Sequence, residues 1–224
     1  MRTRVKICCI ASRAEADLAI AHGADAVGLV GAMPSGPGPI DDDSIADIAE
    51  TVAPPVATVL LTSETEAEAI AAHAARTGVS AVQIVNHVDP LQSARLRTLL
   101  PATRIIQVIH VEGAEALDLM RLYEDHIHAF LLDSGRPGLG IAELGGTGRI
   151  HDWTISREAV RQGRRPVFLA GGLTPLNIGE AIATVRPFGV DLCTGVRSGG
   201  KLDAGKLAAF MAAVRRADAG LAAR

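Results

Sequence analysis

The chain has 224 residues, 48% of them hydrophobic and 21% charged, with a formal net charge of −3 and only 3% aromatic residues. This composition excludes a disordered chain, and no apolar run approaches the roughly 20 residues of a membrane-spanning helix. A slightly acidic, aromatic-poor chain lacks both the field and the stacking platforms of a nucleic-acid binder, so a small-molecule partner is expected, with no nucleic acid and no membrane.

The first apolar run, "VKICCI" (5–10), is interrupted by Lys6 and is too short for the core of a secretory signal. It also carries Cys8 and Cys9, two of the three cysteines in the chain. An odd number of thiols with two adjacent argues against a disulfide framework and fits a reducing, cytoplasmic compartment. After a helical stretch at 13–22 come "AVGLV" (26–30) and a second helix at 43–52, which Asp41 to Asp43 can cap. "VATVLL" (56–61) precedes a helix at 64–76 behind Ser63, and "AVQIV" (81–85) precedes one at 90–100 behind Asp89. The second half repeats the alternation. Strands are expected at 104–110, 128–133, 166–170 and 189–193, and helices at 113–123, 154–162, 175–185 and 204–216, with Thr174 and Pro175 opening the seventh helix.

Continuous apolar runs suit strands of a parallel sheet covered on both faces. Eight βα units in one chain of this length predict a single (β/α)8 barrel domain over residues 1–224, with an open doubly wound sheet as the competing arrangement. The segments "GADAV", "GVSAV" and "GVDLC" each place a glycine between a helix and a strand, where a left-handed cap is expected.

Chemistry in a closed barrel sits at the C-terminal ends of the strands. In "LAGGLTPLN" (169–177), Gly171 and Gly172 let the backbone approach a ligand, and the helix that follows offers unpaired N–H groups and a positive dipole end. In "DLCTGVRSGG" (191–200), Thr194 and Gly195 add a hydroxyl and a further amide. The loops after strands 7 and 8 commonly bind phosphate in barrels, so the two stretches together predict an anion site; ordinary strand-to-helix turns are the alternative. "FLLDS" puts Asp133 at the end of strand 6, ahead of a "GRPGLG" run that cannot begin a helix promptly. Cys8 ends strand 1 near Lys6 and is a candidate base or nucleophile, although buried cysteine is commonly structural. His126 and His128 fall at the stability end of the barrel. His87, His110 and His151 have no metal-ligand spacing, and Asp152 with Trp153 is expected to anchor a loop before a helix.

Taken together, "VKICCI", "GADAVGLV", "FLLD", "GGTGRIHDW", "VFLAGGLTPLNI" and "VRPFGVDLCTGV" resemble the phosphoribosylanthranilate isomerase family, over residues 5 to about 215. The resemblance implies an Amadori rearrangement of a ribosylamine 5-phosphate in tryptophan biosynthesis, with no metal or organic cofactor. It implies a general base at Cys8, a general acid at Asp133 and a phosphate held by Gly171, Gly172, Thr194 and Gly195. Barrel closure would also bring Lys6 beside Asp191.

Departures from the family fall on the side that receives the aromatic ring. Cys9 stands where the family's "KICGI" has glycine. The loop "GAMPSGPGPI" (31–40) lacks the arginine that contacts the anthranilate carboxylate, with Gly38 near its place. Val85 replaces the histidine of "VQLHG", and the loop from Ser134 to Gly148 is longer than usual. Arg13, Arg136 and Arg149 are the candidates to replace the missing guanidinium. The alternatives are a paralogue acting on another phosphosugar or aminosugar phosphate, and a non-catalytic phosphate-ligand-binding barrel. Either a monomer or a small homo-oligomer is compatible with the alanine-rich helices.

Overall fold

Alternation along each strand divides the apolar residues into two sets, and that division builds the fold. In the computed structural model, which describes residues 2–135 and 148–222, strands β1 (Arg4–Ile7), β2 (Ala26–Val30), β3 (Ala57–Thr62), β4 (Ala81–Ile84), β5 (Arg104–His110), β6 (Ala129–Asp133), β7 (Val167–Leu169) and β8 (Gly189–Leu192) close into a parallel barrel. Closure is made by β1 against β8, with Lys6 opposite Asp191 and Ile7 opposite Leu192. Residues such as Val27, Leu60, Val82, Leu132 and Val190 face outward and pack under the helices. Val30, Leu61, Val85, Val108 and Leu131 face inward and fill the barrel.

The helices are α1 (Arg13–Ala21), α2 (Asp42–Thr51), α3 (Ala67–Thr77), α4 (Pro90–Leu99), α5 (Ala116–Tyr123), α6 (Trp153–Gln162), α7 (Ile178–Val185) and α8 (Ala204–Ala222). Side-chain caps fix where several begin. Ser12, Asp41, Asp89 and Asp152 accept from the amides of Glu15, Ser44, Leu91 and Thr154. Each such cap contributes about 1 kcal/mol.

Three local expectations are corrected. Ser63 does not cap α3; its hydroxyl donates to the Ala32 carbonyl, and the helix starts at Ala67. Thr174 and Pro175 do not open α7, because the Asn177 side chain accepts from the Thr174 amide and holds 174–177 as a turn ahead of Ile178. Gly189 is not a left-handed cap. Gly23 and Gly78 have positive φ, whereas the α7 end is turned by Arg186 at φ 52°. At Gly189 the requirement is close approach, since a Cβ there would lie 2.5 Å from the Phe168 ring.

Candidate active site

The cavity at the C-terminal mouth is bordered by Cys8, Asp133, Gly171, Gly172 and Thr194, five of the six residues expected from the sequence. Gly195 does not border it. Its α-carbon is pressed against the Leu173 carbonyl, where a Cβ would come within 2.1 Å, so only glycine lets the turns after β7 and β8 meet.

On the rim formed by those two turns, Gly171 (φ 83°) and Gly172 (φ 62°) adopt left-handed backbone. The loop after β6 crowds both positions, with the Arg149 carbonyl oxygen 3.1 Å from a Gly171 Cβ and 2.8 Å from a Gly172 Cβ. Thr194–Val196 forms a single 3₁₀ turn. Among the described residues, the backbone N–H groups of Gly171, Gly172, Thr194 and Gly195 find no acceptor within the protein. Of these, Gly171, Gly172 and Thr194 border the cavity, and free amides from two adjacent turns suit an oxyanion. The α7 terminus contributes less than expected, because Thr174, Leu176 and Asn177 amides are satisfied inside the turn. Asn177 was missed in the sequence. It accepts from Thr174 N at 2.8 Å and donates to Gly172 O at 2.9 Å, fixing the glycine pair, and its signal was an Asn three residues after Thr174.

Beneath the mouth, Lys6 is 1% exposed and donates to Asp191 Oδ1 at 3.0 Å, as barrel closure implied. Burial works against the Lys6 charge, but the Asp191 carboxylate outweighs it and raises the ammonium above its ordinary range. Gly28, unremarked in the sequence, makes this possible: a Cβ there would lie 2.9 Å from both the Cys8 Sγ and the Lys6 Nζ. Asp133 accepts from the Ser134 amide at 2.7 Å. Its carboxyl is pushed up to about 6, first by burial and then by the Asp191 charge, against the opposing pull of Ser134 and Lys6. A carboxyl so placed is protonated over part of the physiological range and can act as an acid.

The end of β1 is tied down by a residue the sequence reading did not single out. Arg197 donates to the Cys8 and Cys9 carbonyls and pairs with Glu15 at 3.0 Å, lashing β1 to the segment after β8. Cys9 takes φ 62° and sits against the 36–38 loop, its thiol 3.5 Å from the Pro37 carbonyl. Hydrogen bonding with Cys193 and Cys8, together with burial, pushes the Cys9 thiol up, while the Cys9 contact and then Arg197 pull Cys193 down.

The opposite wall is apolar, formed by Val30, Met33, Leu61 and Val85 with the polar Gln83 among them. His87 does not enter this wall; it packs on His110, ring centroids 5.4 Å apart. Of the candidate replacements for the missing guanidinium, Arg13 pairs with Asp47 on the surface. Arg136 lies outside the described residues. Arg149 contributes its carbonyl, which accepts from the Ser134 hydroxyl at 2.8 Å.

Comparison with known proteins accounts for this arrangement. The family model described as N-(5'phosphoribosyl)anthranilate (PRA) isomerase matches residues 5–213. An N-(5'-phosphoribosyl)anthranilate isomerase 2 of Methanosarcina mazei is 38% identical over 195 residues, 87% of this chain and 85% of the relative. A crystal structure of phosphoribosyl anthranilate isomerase from Thermus thermophilus superposes with a TM-score of 0.80 at 28% identity, covering 96% of this chain and 99% of that one. A further isomerase structure, in complex with reduced 1-(o-carboxyphenylamino)-1-deoxyribulose 5-phosphate, has a TM-score of 0.77 at 28% identity, with 96% and 99% coverage.

Proposed function

The chain belongs to the N-(5'-phosphoribosyl)anthranilate isomerase family, and on that premise we propose that it converts a ribosylamine 5-phosphate into the 1-amino-1-deoxyketose by an Amadori rearrangement, the isomerase step of tryptophan biosynthesis. Asp133 is the general acid: its carboxyl donates a proton to the furanose ring oxygen as the C1–O bond breaks, leaving an iminium at C1. Cys8, acting as thiolate, is the general base that removes the C2 proton, which the iminium has acidified. The electron pair moves into the C1–C2 bond to give an enolamine, and tautomerisation yields the ketone. Each proton transfer by a positioned side chain contributes about 10²- to 10⁴-fold.

Gly171, Gly172, Thr194 and Gly195 hold the substrate phosphate, so binding energy remote from the reacting carbons fixes C2 against Cys8. Lys6 and Asp191 set the electrostatics beneath both groups. The observation that carries this reading is that Cys8 and the raised carboxyl of Asp133 border one cavity with Gly171, Gly172 and Thr194, whose amides have no acceptor among the described residues. Free thiols at Cys8, Cys9 and Cys193 support a cytoplasmic setting. We take the barrel to be one domain working as a monomer or small homo-oligomer, with the phosphorylated sugar as its partner.

Turnover of phosphoribosylanthranilate by the purified protein tests the reading, with Cys8→Ala and Asp133→Asn variants alongside and growth of a tryptophan auxotroph as the cellular counterpart. Robust turnover abolished by both substitutions is expected. Phosphate-ester binding without turnover by the wild type would overturn it.

A further inference from the structure

Two of the three thiols, Cys9 and Cys193, take no part in the proton transfers proposed above. Cys9 lies two residues beyond β1 in a left-handed conformation, and Cys193 sits between β8 and the 3₁₀ turn, immediately before Thr194. Both border the mouth cavity, which opens them to a small solute. Cys193 is half-buried and packs against the cluster that contains Cys9, with the two side chains in contact. Gly38 walls in the other thiol, since a Cβ there would lie 3.2 Å from the Cys9 Sγ. The Cys9 contact lowers Cys193 most, burial opposes it and the Arg197 guanidinium adds to the lowering. Cys193 is thus the member of the pair that ionises more readily, and the thiolate is the form that oxidants attack. Hydrogen bonding with Cys193 and Cys8, together with burial, keeps Cys9 protonated.

We propose that Cys9 and Cys193 are a modification site for hydrogen peroxide, which joins them in a reversible disulfide that switches the active site off. The Cys193 thiolate attacks one peroxide oxygen, the O–O bond breaks, hydroxide leaves to become water, and Cys193 is left as a sulfenic acid. The Cys9 sulfur then attacks the Cys193 sulfur, the S–O bond breaks, and the Cys9 proton departs with the hydroxyl as a second water. The thiol pair loses two electrons and the peroxide gains them. A dithiol reductant restores both thiols by exchange. Cys8 is the poorer partner. Adjacent α-carbons stand about 3.8 Å apart, short of the roughly 4.4–6.8 Å usual across a disulfide, which disfavours a bond to Cys9. The Cys8 Sγ lies against Gly28 of β2, on the flank of β1 away from β8 and Cys193. Forming the Cys9–Cys193 bond pulls together the residue after Cys8 and the residue before Thr194, and a displacement of ~1 Å at catalytic groups can cost about 10²-fold in rate. The loss of turnover rests on the isomerase reading; the bond itself does not.

Treatment of the whole protein with a stoichiometric amount of hydrogen peroxide tests this, on the wild type and on Cys8→Ala, Cys9→Ser and Cys193→Ser. In Cys8→Ala both remaining thiols should disappear with the loss of two hydrogens in mass. Cys8→Ala and the wild type should each yield a peptide joining Cys9 to Cys193, which dithiothreitol dissolves. Wild-type turnover should fall by about 10-fold or more and return with dithiothreitol. The two serine variants, active before treatment, should keep their turnover through it. Thiols that survive in Cys8→Ala, or a disulfide that still forms in either serine variant, would overturn the proposal. So would peroxide inactivation of the serine variants equal to that of the wild type, which would place the damage at Cys8. Absence of turnover by the reduced wild type would count against the isomerase reading instead, because the thiols and the linked peptide are measured without substrate.

Discussion

Cys9 occupies a backbone conformation that a side chain makes expensive. At φ 62° its Cβ meets the following carbonyl, a cost of roughly 1–2 kcal/mol that glycine avoids. Gly38 is the compensating partner, since a Cβ there would lie 2.6 Å from the Cys9 Cβ. The space that a larger residue in the 36–38 loop would fill is thus used by the thiol. The usual order of alanine and glycine substitutions should therefore reverse at this position. Cys9→Gly loses the buried thiol but relieves the strain, whereas Cys9→Ala loses the thiol and keeps it. Urea unfolding should find Cys9→Gly more stable than Cys9→Ala by about 1 kcal/mol. Alanine more stable than glycine would mean that the left-handed turn carries no strain. Gly38→Ala should cost less in the Cys9→Gly background than in the wild type, because the clash has two partners and removing either relieves it.

At the scale of elements, the turn between β7 and α7 shows how the phosphate rim is held. Asn177 bridges the Thr174 amide and the Gly172 carbonyl, so its side chain ties the Gly171–Gly172 segment to the turn ahead of α7. Asn177→Ala should cost about 1 kcal/mol of stability. It should also weaken inorganic phosphate binding several-fold with the barrel's circular dichroism unchanged; unaltered phosphate affinity would place the rim under other control. Eight barrel strands and eight helices were legible in the sequence because the strands are short, mostly apolar runs and several helices carry cap-competent residues at their start. The start of α7 was misplaced because Thr-Pro resembles a first turn in sequence, while the bond that delays the helix comes from a residue three positions later. The catalytic candidates were visible as polar residues at strand ends. Gly28 and Arg197 were not, since a glycine within a strand and an arginine in a loop acquire meaning only when the barrel closes around Lys6 and Cys8.

At the scale of the whole barrel, the described residues place one ammonium, Lys6, in the interior for two buried carboxyls, Asp191 and Asp133. Charge balances only when Asp133 is protonated, which is the electrostatic counterpart of its pKa of about 6. A carboxyl raised from an unfolded value of 3.8 to about 6 binds its proton more tightly in the folded state. Its full contribution is therefore present below pH ~4 and is lost as pH rises through about 6, leaving a penalty on the order of 2–3 kcal/mol at neutral pH. Asp133→Asn removes the titration while keeping an oxygen to accept from the Ser134 amide. The variant should accordingly be more stable than the wild type by about 2–3 kcal/mol at pH 7.5 and about equal to it near pH 4. The lowered carboxyls of Glu15 and Asp42 impose the opposite slope, but on both proteins alike, so the difference isolates Asp133. The same substitution should lower kcat by about 10²- to 10⁴-fold. Paired urea unfolding curves and turnover measurements decide the matter. A variant that loses activity without gaining stability at pH 7.5 would show that folding does not raise the Asp133 carboxyl, and the acid would have to be sought elsewhere along the rim.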